Sequence, residues 1–304
     1  MRERPADLTD AQLAATLAEG WGIHAPALAY LPVGAGGHHW SAPPWFVTVT
    51  DYSPALEPAL DTAARLGLDF VVAAIRAPDG TLVRRLGDRY AVTVHPFVPG
   101  SAGSFGPHPP ADRDAVLDML IALHGTRATA PRADLRLPGR ARLERALADL
   151  DRPWTSGPYA EPARRLLAGH TAAVTRRLSR LDAPPSTESW VVTHGEPHPG
   201  NVLRTPSGPL LIDWDTVQLA PPERDLWMLT DAMIDAPPSN DMPLLSRYER
   251  ATGHRVSAAA IEFYRNWWIL ADIANYTDDL RRPHTEGADL AAALTYLAAN
   301  LRSG

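Results

Sequence analysis

The chain has 304 residues, of which 45% are hydrophobic and 21% charged, and its formal net charge is −6. This length favours one large domain or two lobes that share a cleft. No apolar run approaches the roughly 18 residues that a membrane span requires. The N-terminal segment has no apolar stretch of the secretory type, and a cytoplasmic location without a membrane partner is expected. The negative charge and the dispersed arginines predict no nucleic-acid partner.

Two residue types are missing from the sequence. It contains no cysteine, which excludes disulfides, thiolate metal ligands and a cysteine nucleophile. All 29 basic residues are arginines, and this excludes a Schiff-base lysine, a P-loop lysine and a lysine general base.

The first third of the chain is predicted to mix helices with short strands. An amphipathic helix is expected over residues 8–19, with Thr9 or Asp10 as its cap. The glycine-rich segment 34–39 precedes an apolar, β-branched run at 45–50, which predicts strand, turn and strand, with His38 and His39 in a solvent-facing loop. Predicted next are a helix over 53–66, strands over 70–75, 82–85 and 90–94, and a turn at 78–80.

A composition shift marks the predicted boundary between two lobes. Residues 100–110 are rich in Gly, Ser and Pro, so we expect an N-terminal lobe at 1–95 and a helical C-terminal lobe at 96–304. The helical patterns of the second lobe cover residues 112–124, 141–149, 162–181, 243–252, 258–280 and 288–301. Between them, residues 190–193 and 210–212 predict a short hairpin-like stretch.

The segment from His194 to Asn201 carries the clearest chemical signal. In it an acid, Glu196, precedes an asparagine by five positions, the spacing that the kinase catalytic loop uses for its base and its second metal ligand. Twelve residues later a strand-like run ends at Asp213, where a carboxylate is placed to bind Mg²⁺. Together these residues predict phosphoryl transfer, which needs a base near the acceptor hydroxyl and oxygen ligands for the metal.

Residues 194–201, 212–215 and 220–226 resemble the catalytic loop, the metal-binding segment and the next helix start of the aminoglycoside phosphotransferase family. The stretch WDTVQLAPPERDL is most similar to spectinomycin phosphotransferases. The resemblance implies an α+β, bilobal, protein-kinase-like fold and use of ATP or GTP with Mg²⁺. The resemblance implies that Asn201 and Asp213 bind the metal, that Glu196 is catalytic on a loop braced by His194, and that Asp225 is linked to that loop. For the nucleotide, it implies phosphate contacts from Gly34, Gly36, Gly37 and the Thr48 position and an adenine pocket at Phe97 and Val98. For the acceptor, it implies substrate contacts from Asp215, Asp272 and Tyr276.

The sequence departs from the family pattern at two positions. Glu196 stands where the family usually has Asp, and Thr48 stands where it has a phosphate-binding Lys. A misplacement of about 1 Å can cost on the order of 100-fold in rate. A kinase normally pairs this Lys with a helix acid, here Glu57 or Asp61, and an arginine such as Arg76 or Arg84 could replace it only if the fold brings it in.

Alternative interpretations remain open for several of these residues. Two histidines four residues apart, at 194 and 198, suggest zinc, but the intervening Gly and Pro residues prevent the helix that would align them. Asp215 and Glu223 are either catalytic helpers or partners for capping and for Arg224. The favoured function is an O-phosphotransferase, monomeric or homodimeric, that acts on a small polar molecule, including aminoglycoside or aminocyclitol antibiotics in a resistance role. The alternative is a degenerate kinase that binds nucleotide or ligand without transfer.

Overall fold

The computed structural model describes residues 1–25, 27–184, 189–230 and 242–303. The chain forms two compact units, of which the first comprises residues 1–133, 189–230 and 240–255 and the second 134–188, 231–239 and 256–304. The first unit combines antiparallel sheets with helices and the second is helical, so the predicted α+β class is confirmed. The predicted lobe boundary after residue 95 lies near the end of a strand and stays a prediction.

The first unit begins with a helix packed on a five-stranded antiparallel sheet. Helix α1 spans Asp10–Trp21, and Thr9 and Gln12 form the capping box that starts it. The strands are β1 (Ala29–Leu31), β2 (His38–Ala42), β3 (Trp45–Asp51), β4 (Arg84–Leu86) and β5 (Tyr90–Pro96), in the order β1-β2-β3-β5-β4. Leu13 and Leu17 of α1 pack in one buried cluster with Val47 and Val49 of β3. Helix and sheet therefore share one hydrophobic core.

The opposite face of this sheet carries polar side chains. Because successive residues of a strand point to opposite faces, Thr48 lies on the face away from α1, between Val47 and Val49. Its partners in the neighbouring strands are His39 of β2 and Thr93 of β5, and directly paired residues share a face. His39 is thus a half-buried strand residue, as is His38, and the expectation that both lie in a solvent-facing loop is wrong.

Helix α2 spans Leu56–Arg65 and precedes a segment that was predicted as a strand. Residues 70–75 form no regular strand, and their pairing consists of one parallel bridge between Val71 and Leu211 and a bond from the Ile75 amide to the Val94 carbonyl, 2.7 Å. The run is apolar because its side chains are partly buried, although its backbone bonds go to two different sheets. The turn predicted at 78–80 is present.

Shorter strands, helices and 3-10 turns form the rest of the first unit. These elements are β6 (Ser101–Ala102), α3 (Pro110–His124), β7 (Val191–Thr193), a 3-10 turn (Pro199–Asn201), β8 (Val202–Thr205), β9 (Gly208–Leu211), β10 (Gln218–Ala220), α7 (Glu223–Leu226), a second 3-10 turn (Trp227–Leu229) and α8 (Met242–Thr252). The hairpin-like pairing expected between residues 190–193 and 210–212 is wrong. Instead β7 pairs with β10 and β9 pairs with β8, because the two-residue turn at 206–207 connects β8 to β9 as a local hairpin.

The second unit consists of helices α4 (Arg140–Ala148), α5 (Ala160–Gly169), α6 (Thr171–Arg180), α9 (Ala258–Arg281) and α10 (Ala288–Arg302). The single helix predicted over 162–181 is two helices that break at His170, directly after Gly169, a residue that favours helix ends. In the part of the chain that the structure describes, no helix combines the length and apolarity of a membrane span.

Candidate active site

The segment that follows β7 is held by one buried carboxylate. Asp225 of α7 accepts hydrogen bonds from the backbone amides of His194, 2.8 Å, and Gly195, 2.6 Å. A third bond joins its carboxylate to Nε2 of His124, 3.0 Å, at the end of α3. Nδ1 of His124 contacts the hydroxyl of Tyr248 on α8, 2.8 Å away. The predicted catalytic loop, residues 194–201, is therefore anchored to three helices of the same unit.

Burial acts against the charge of Asp225, but its partners outweigh it. Complete burial raises the pKa of this carboxyl, whereas the bond to His124 and the nearby Arg224 lower it, and the net pKa lies below its ordinary value. The Asp225 carboxylate is thus negatively charged at neutral pH. The resemblance implied a link from Asp225 to the loop, and these hydrogen bonds join the two.

The ring of His194 ties the loop to the strand that precedes Asp213. Nε2 of His194 lies 2.9 Å from the carbonyl oxygen of Ile212, and its Nδ1 accepts a bond from the Glu196 amide, 3.2 Å. The ring also meets the Trp214 indole edge-on, with centroids 4.6 Å apart. Burial lowers the pKa of His194 to about 4, which keeps the ring neutral. His194 is placed to brace the loop rather than to exchange protons.

Gly195 is required by the backbone of the loop. Its φ of +101° is in the region that favours glycine, and a Cβ there would lie 2.3 Å from Nη2 of Arg224. Arg224 fills this space because its guanidinium donates to Oγ1 of Thr193, 2.8 Å, and to the carbonyl of Thr216, 2.9 Å. Arg224 therefore packs against the loop at Gly195, while Oε1 of Glu223 lies 3.1 Å from Nε2 of His254.

The predicted metal ligands, Asn201 and Asp213, lie on either side of the β8–β9 hairpin. Nδ2 of Asn201 donates to the carbonyl of Glu196, 2.9 Å, and the Asn201 carbonyl accepts from the Ile212 amide, 3.0 Å. With its Nδ2 engaged, the amide of Asn201 keeps Oδ1 as the atom for a cation. Asp213 follows Ile212 in the left-handed conformation, with φ of 65°, which a residue other than glycine rarely adopts.

The negative charges of Asp213 and Glu196 act on a third carboxylate, that of Asp215. The protein around Asp213 reduces the solvation of its carboxylate and so raises its pKa, although the residue stays accessible to solvent. Burial raises the pKa of Asp215 well above the ordinary value, and the negative charges of Asp213 and Glu196 add to this increase. Such a cluster of negative charge suits a divalent cation, whose binding would relieve the repulsion.

The donor set fits Mg²⁺ bound together with phosphates rather than a site made by protein alone. In the described ranges, no group of three or more His, Cys, Asp or Glu side chains is arranged to hold a metal ion. Mg²⁺ is commonly bound by one or two carboxylates plus substrate phosphates, and Asn201 with Asp213 supplies a set of this kind. Zinc, which prefers four protein ligands, is not supported by His194 and His198, whose Nδ1 atoms accept from the amides of Glu196 and Gly200.

The linker that follows β5 is hydrogen-bonded to the predicted catalytic loop. Phe97 is 39% exposed and Val98 half-buried, while the Phe97 amide donates to the Pro44 carbonyl, 2.8 Å. Further on, the Gly103 amide donates to the carbonyl of Pro199, 2.9 Å. Nε2 of the buried His108 lies 2.7 Å from the Pro197 carbonyl. The predicted adenine segment and the catalytic loop are thus joined by hydrogen bonds through the linker.

The predicted phosphate-binding loop ends at β2. Gly34 and Gly36 are exposed with φ of 71° and 83°, so both positions favour glycine, and Gly37 is buried. Oγ1 of Thr48 lies 3.1 Å from Nδ1 of His39. At Thr48, where the resemblance implies a lysine in the family, a hydroxyl is therefore hydrogen-bonded to an imidazole.

Two predicted substrate contacts belong to the second unit. Asp272 and Tyr276 are one turn apart on α9. Burial raises the pKa of Asp272 to about 7, although a bond from Nδ2 of Asn300, 3.2 Å, opposes this increase. The Tyr276 ring lies 5.8 Å from that of Tyr296 on α10, centroid to centroid.

Sequence reasoning missed three residues that fix the loop, namely His108, His124 and Tyr248. Each comes from a segment far from residues 194–201 in sequence and none belongs to a motif. Only the position of His124 in the last turn of a predicted helix gave a signal, since cations are favoured there.

Comparison with known proteins is consistent with this geometry. Residues 49–267 match the family model described as APH, phosphotransferase enzyme family. Protein StrN of Streptomyces griseus is 28% identical over an alignment that covers 87% of this chain and 83% of that protein. The crystal structure of spectinomycin phosphotransferase APH(9)-Ia in complex with ADP and spectinomycin superposes with a TM-score of 0.71 at 18% identity, covering 96% of this chain and 94% of that one. A microcompartment-associated aminopropanol kinase gives a TM-score of 0.58 at 16% identity and covers 96% and 95% of the two chains.

The fold and the loop define a phosphotransferase enzyme with a protein-kinase-like fold. Since the family model matches more than half of its residues, the chain belongs to the APH phosphotransferase family.

Proposed function

We propose that this enzyme transfers the terminal phosphoryl group of ATP or GTP to a hydroxyl of a small polar molecule. Candidate acceptors are aminoglycoside or aminocyclitol antibiotics and natural-product intermediates. The observation that carries the proposal is the grouping of Glu196, Asn201 and Asp213 around one hydrogen-bonded loop. Family membership, the neighbour solved with ADP and spectinomycin, and amicoumacin kinase hAmiN, solved with AMP-PNP and Ca²⁺ and similar with a TM-score of 0.55, support nucleotide and divalent-metal use.

In this proposal each residue has a role in positioning or in moving a proton. Asn201 and Asp213 hold Mg²⁺, which neutralises charge on the phosphates. The acceptor oxygen forms a bond to phosphorus while the bond to the departing nucleoside diphosphate breaks. Glu196 orients the hydroxyl and takes its proton, and the neutral His194 keeps the Glu196 backbone in place. Glutamate reaches one bond further than the aspartate usual in the family, so the acceptor is expected to lie correspondingly further from the backbone of the loop.

The test measures phosphorylated product by mass spectrometry with a panel of hydroxylated amines, ATP or GTP, and Mg²⁺. We expect Glu196→Gln to lower turnover about 100-fold or more, since general acid–base catalysis contributes roughly 10²–10⁴-fold. Glu196→Asp should also lower turnover, because shortening the side chain misplaces the carboxylate. The matched control is Glu19→Gln on the exposed face of α1, which should leave turnover unchanged.

Two results would contradict the proposal. Turnover that is unchanged in Glu196→Gln and Glu196→Ala would remove the role given to Glu196. Nucleotide binding by the wild type without product from any acceptor would favour the binding-only alternative over transfer.

A further inference from the structure

The lysine-free sequence raises the question of which side chain contacts the nucleotide phosphates from the sheet. Arg76, one of the two arginines considered as substitutes, donates to Asp61 of α2, 2.6 Å, and to the Gly80 carbonyl, 3.0 Å. The other, Arg84, is the strand partner of Val92, whose side chain lies in the core under α1. The Arg84 guanidinium forms an ion pair with Asp79 at 2.8 Å. Arg84 therefore lies on the face of the sheet opposite Thr48.

His39 has the position that these arginines lack. It is the direct strand partner of Thr48 and shares its face of the sheet. Its Nδ1 is engaged by the Thr48 hydroxyl at 3.1 Å, which turns Nε2 toward the glycine loop. A Cβ added to Gly34 would lie 3.1 Å from this Nε2, and one added to Gly37 would lie 3.3 Å from Cε1. The imidazole thus lies directly against the loop that would cover the phosphates.

We propose that His39, oriented by Thr48, donates an Nε2–H hydrogen bond to a nucleotide phosphate and takes the place of the lysine found at this position in the family. The inference rests on the nucleotide-dependent transfer proposed above and names the residue that contacts the phosphates. In this tautomer the Thr48 hydroxyl donates to Nδ1, so the threonine fixes both the ring orientation and the position of the proton. A threonine at the lysine position is then part of the phosphate site.

The charges around His39 set the pH dependence expected of this contact. Burial lowers the pKa of His39 to about 4, and the Met1 ammonium group, His95 and His38 lower it further by repulsion. The free imidazole is therefore neutral near pH 7. A bound phosphate supplies the opposite charge and raises this pKa, so binding takes up protons as the pH falls and affinity increases toward acidic pH. The other side chains against the ring, Thr48 and Phe46, do not titrate in this range.

The test compares the binding of ADP and of adenosine by calorimetry with Mg²⁺, and of GDP and guanosine in parallel. His39→Ala should weaken diphosphate binding about tenfold to a hundredfold, the loss typical of one hydrogen bond to a charged group. Nucleoside binding should stay within about twofold, because the ring contacts phosphate only. His38→Ala is the matched control on the other face of β2 and should keep diphosphate affinity. Thermal unfolding checks that each variant is folded, and His39→Asn replaces the alanine variant if that one is not.

The pH dependence gives a second readout that does not require activity. The wild type should gain more diphosphate affinity than His39→Asn between pH 7.5 and 5.5, a comparison in which the titration of the nucleotide itself cancels. Equal diphosphate affinity in the wild type and the His39 variants overturns the inference, and so does an equal loss for nucleoside and diphosphate. A wild type that binds no nucleotide at all refutes the proposed function and this inference together.

Discussion

The bonds to Asp225 predict a large loss of stability when its charge is removed. Three N–H donors, at 2.6, 2.8 and 3.0 Å, converge on the two oxygens of this fully buried carboxylate. In Asp225→Asn, one side-chain oxygen remains, while the NH₂ group that replaces the other oxygen faces an N–H donor and cannot accept its hydrogen bond. A lost bond to a charged group costs roughly 1.5–3 kcal/mol and a buried unsatisfied donor about 1–3 kcal/mol. We therefore expect a loss of about 3–5 kcal/mol, a large share of the ~5–15 kcal/mol typical of folded proteins.

Urea unfolding followed by circular dichroism at pH 7 measures this loss as a lower midpoint with an unchanged slope. The matched control is Asp114→Asn, which breaks an ion pair with Arg247. Because the Asp114 side chain is 80% exposed, this substitution should cost less than about 1 kcal/mol. Because the folded pKa of Asp225 is lowered, its contribution is present above the unfolded pKa of about 3.9 and is lost as the pH falls through the folded value. The difference between wild type and variant should shrink accordingly below pH ~4. A loss no larger than that of the control at pH 7 would refute the anchoring role.

Two further substitutions test other contacts by urea unfolding. Gly195→Ala should destabilise the protein by about 1–3 kcal/mol more than Gly80→Ala. Both glycines have positive φ, but a Cβ at Gly195 would lie 2.3 Å from Arg224, whereas a Cβ at Gly80 would have no atom of the described residues within 4 Å apart from its chain neighbours. Equal losses would show that the Arg224 guanidinium moves aside at no cost. Asn266→Leu should cost about 3 kcal/mol, because the buried Arg177 loses two hydrogen bonds. Its guanidinium donates to Oδ1 of Asn266, 2.9 Å, and its carbonyl accepts from Nδ2 of Asn266, 2.9 Å. A stability equal to that of the wild type would mean that the guanidinium finds another partner.

Local patterns of the sequence predicted most elements and the spacing of the loop. The alternation of Val47, Thr48 and Val49 indicated a strand with one buried face, and the Thr9 cap indicated the first helix. Where the predictions were wrong, long-range pairing or a local break was decisive. The apolar segment 70–75 looks like a strand in isolation, but its backbone bonds go to Leu211 and Val94, which no local pattern reveals.

The sequence predicted the residues of loop 194–201 more completely than the distant residues that hold this loop in place. Glu196, Asn201 and Asp213 follow a fixed spacing, whereas His124 reaches Asp225 across 101 positions of sequence. The interpretation of His38 and His39 as loop residues failed because neighbouring glycines concealed the start of a strand. Once the register is known, the pairing of His39 with Thr48 follows directly.

The glycines of the linker after β5 give it less freedom than its composition suggests. A Cβ on Gly100 would lie 2.7 Å from the Arg204 carbonyl, and one on Gly103 would lie 2.8 Å from Cβ of Pro199. These glycines thus allow two backbones to touch, and the linker also adds strand β6 to β8. A rotation of the five-stranded sheet about this linker would therefore either move loop 194–201 with the sheet or break main-chain contacts between linker and loop. Any bending point of the linker is thus expected before Gly100.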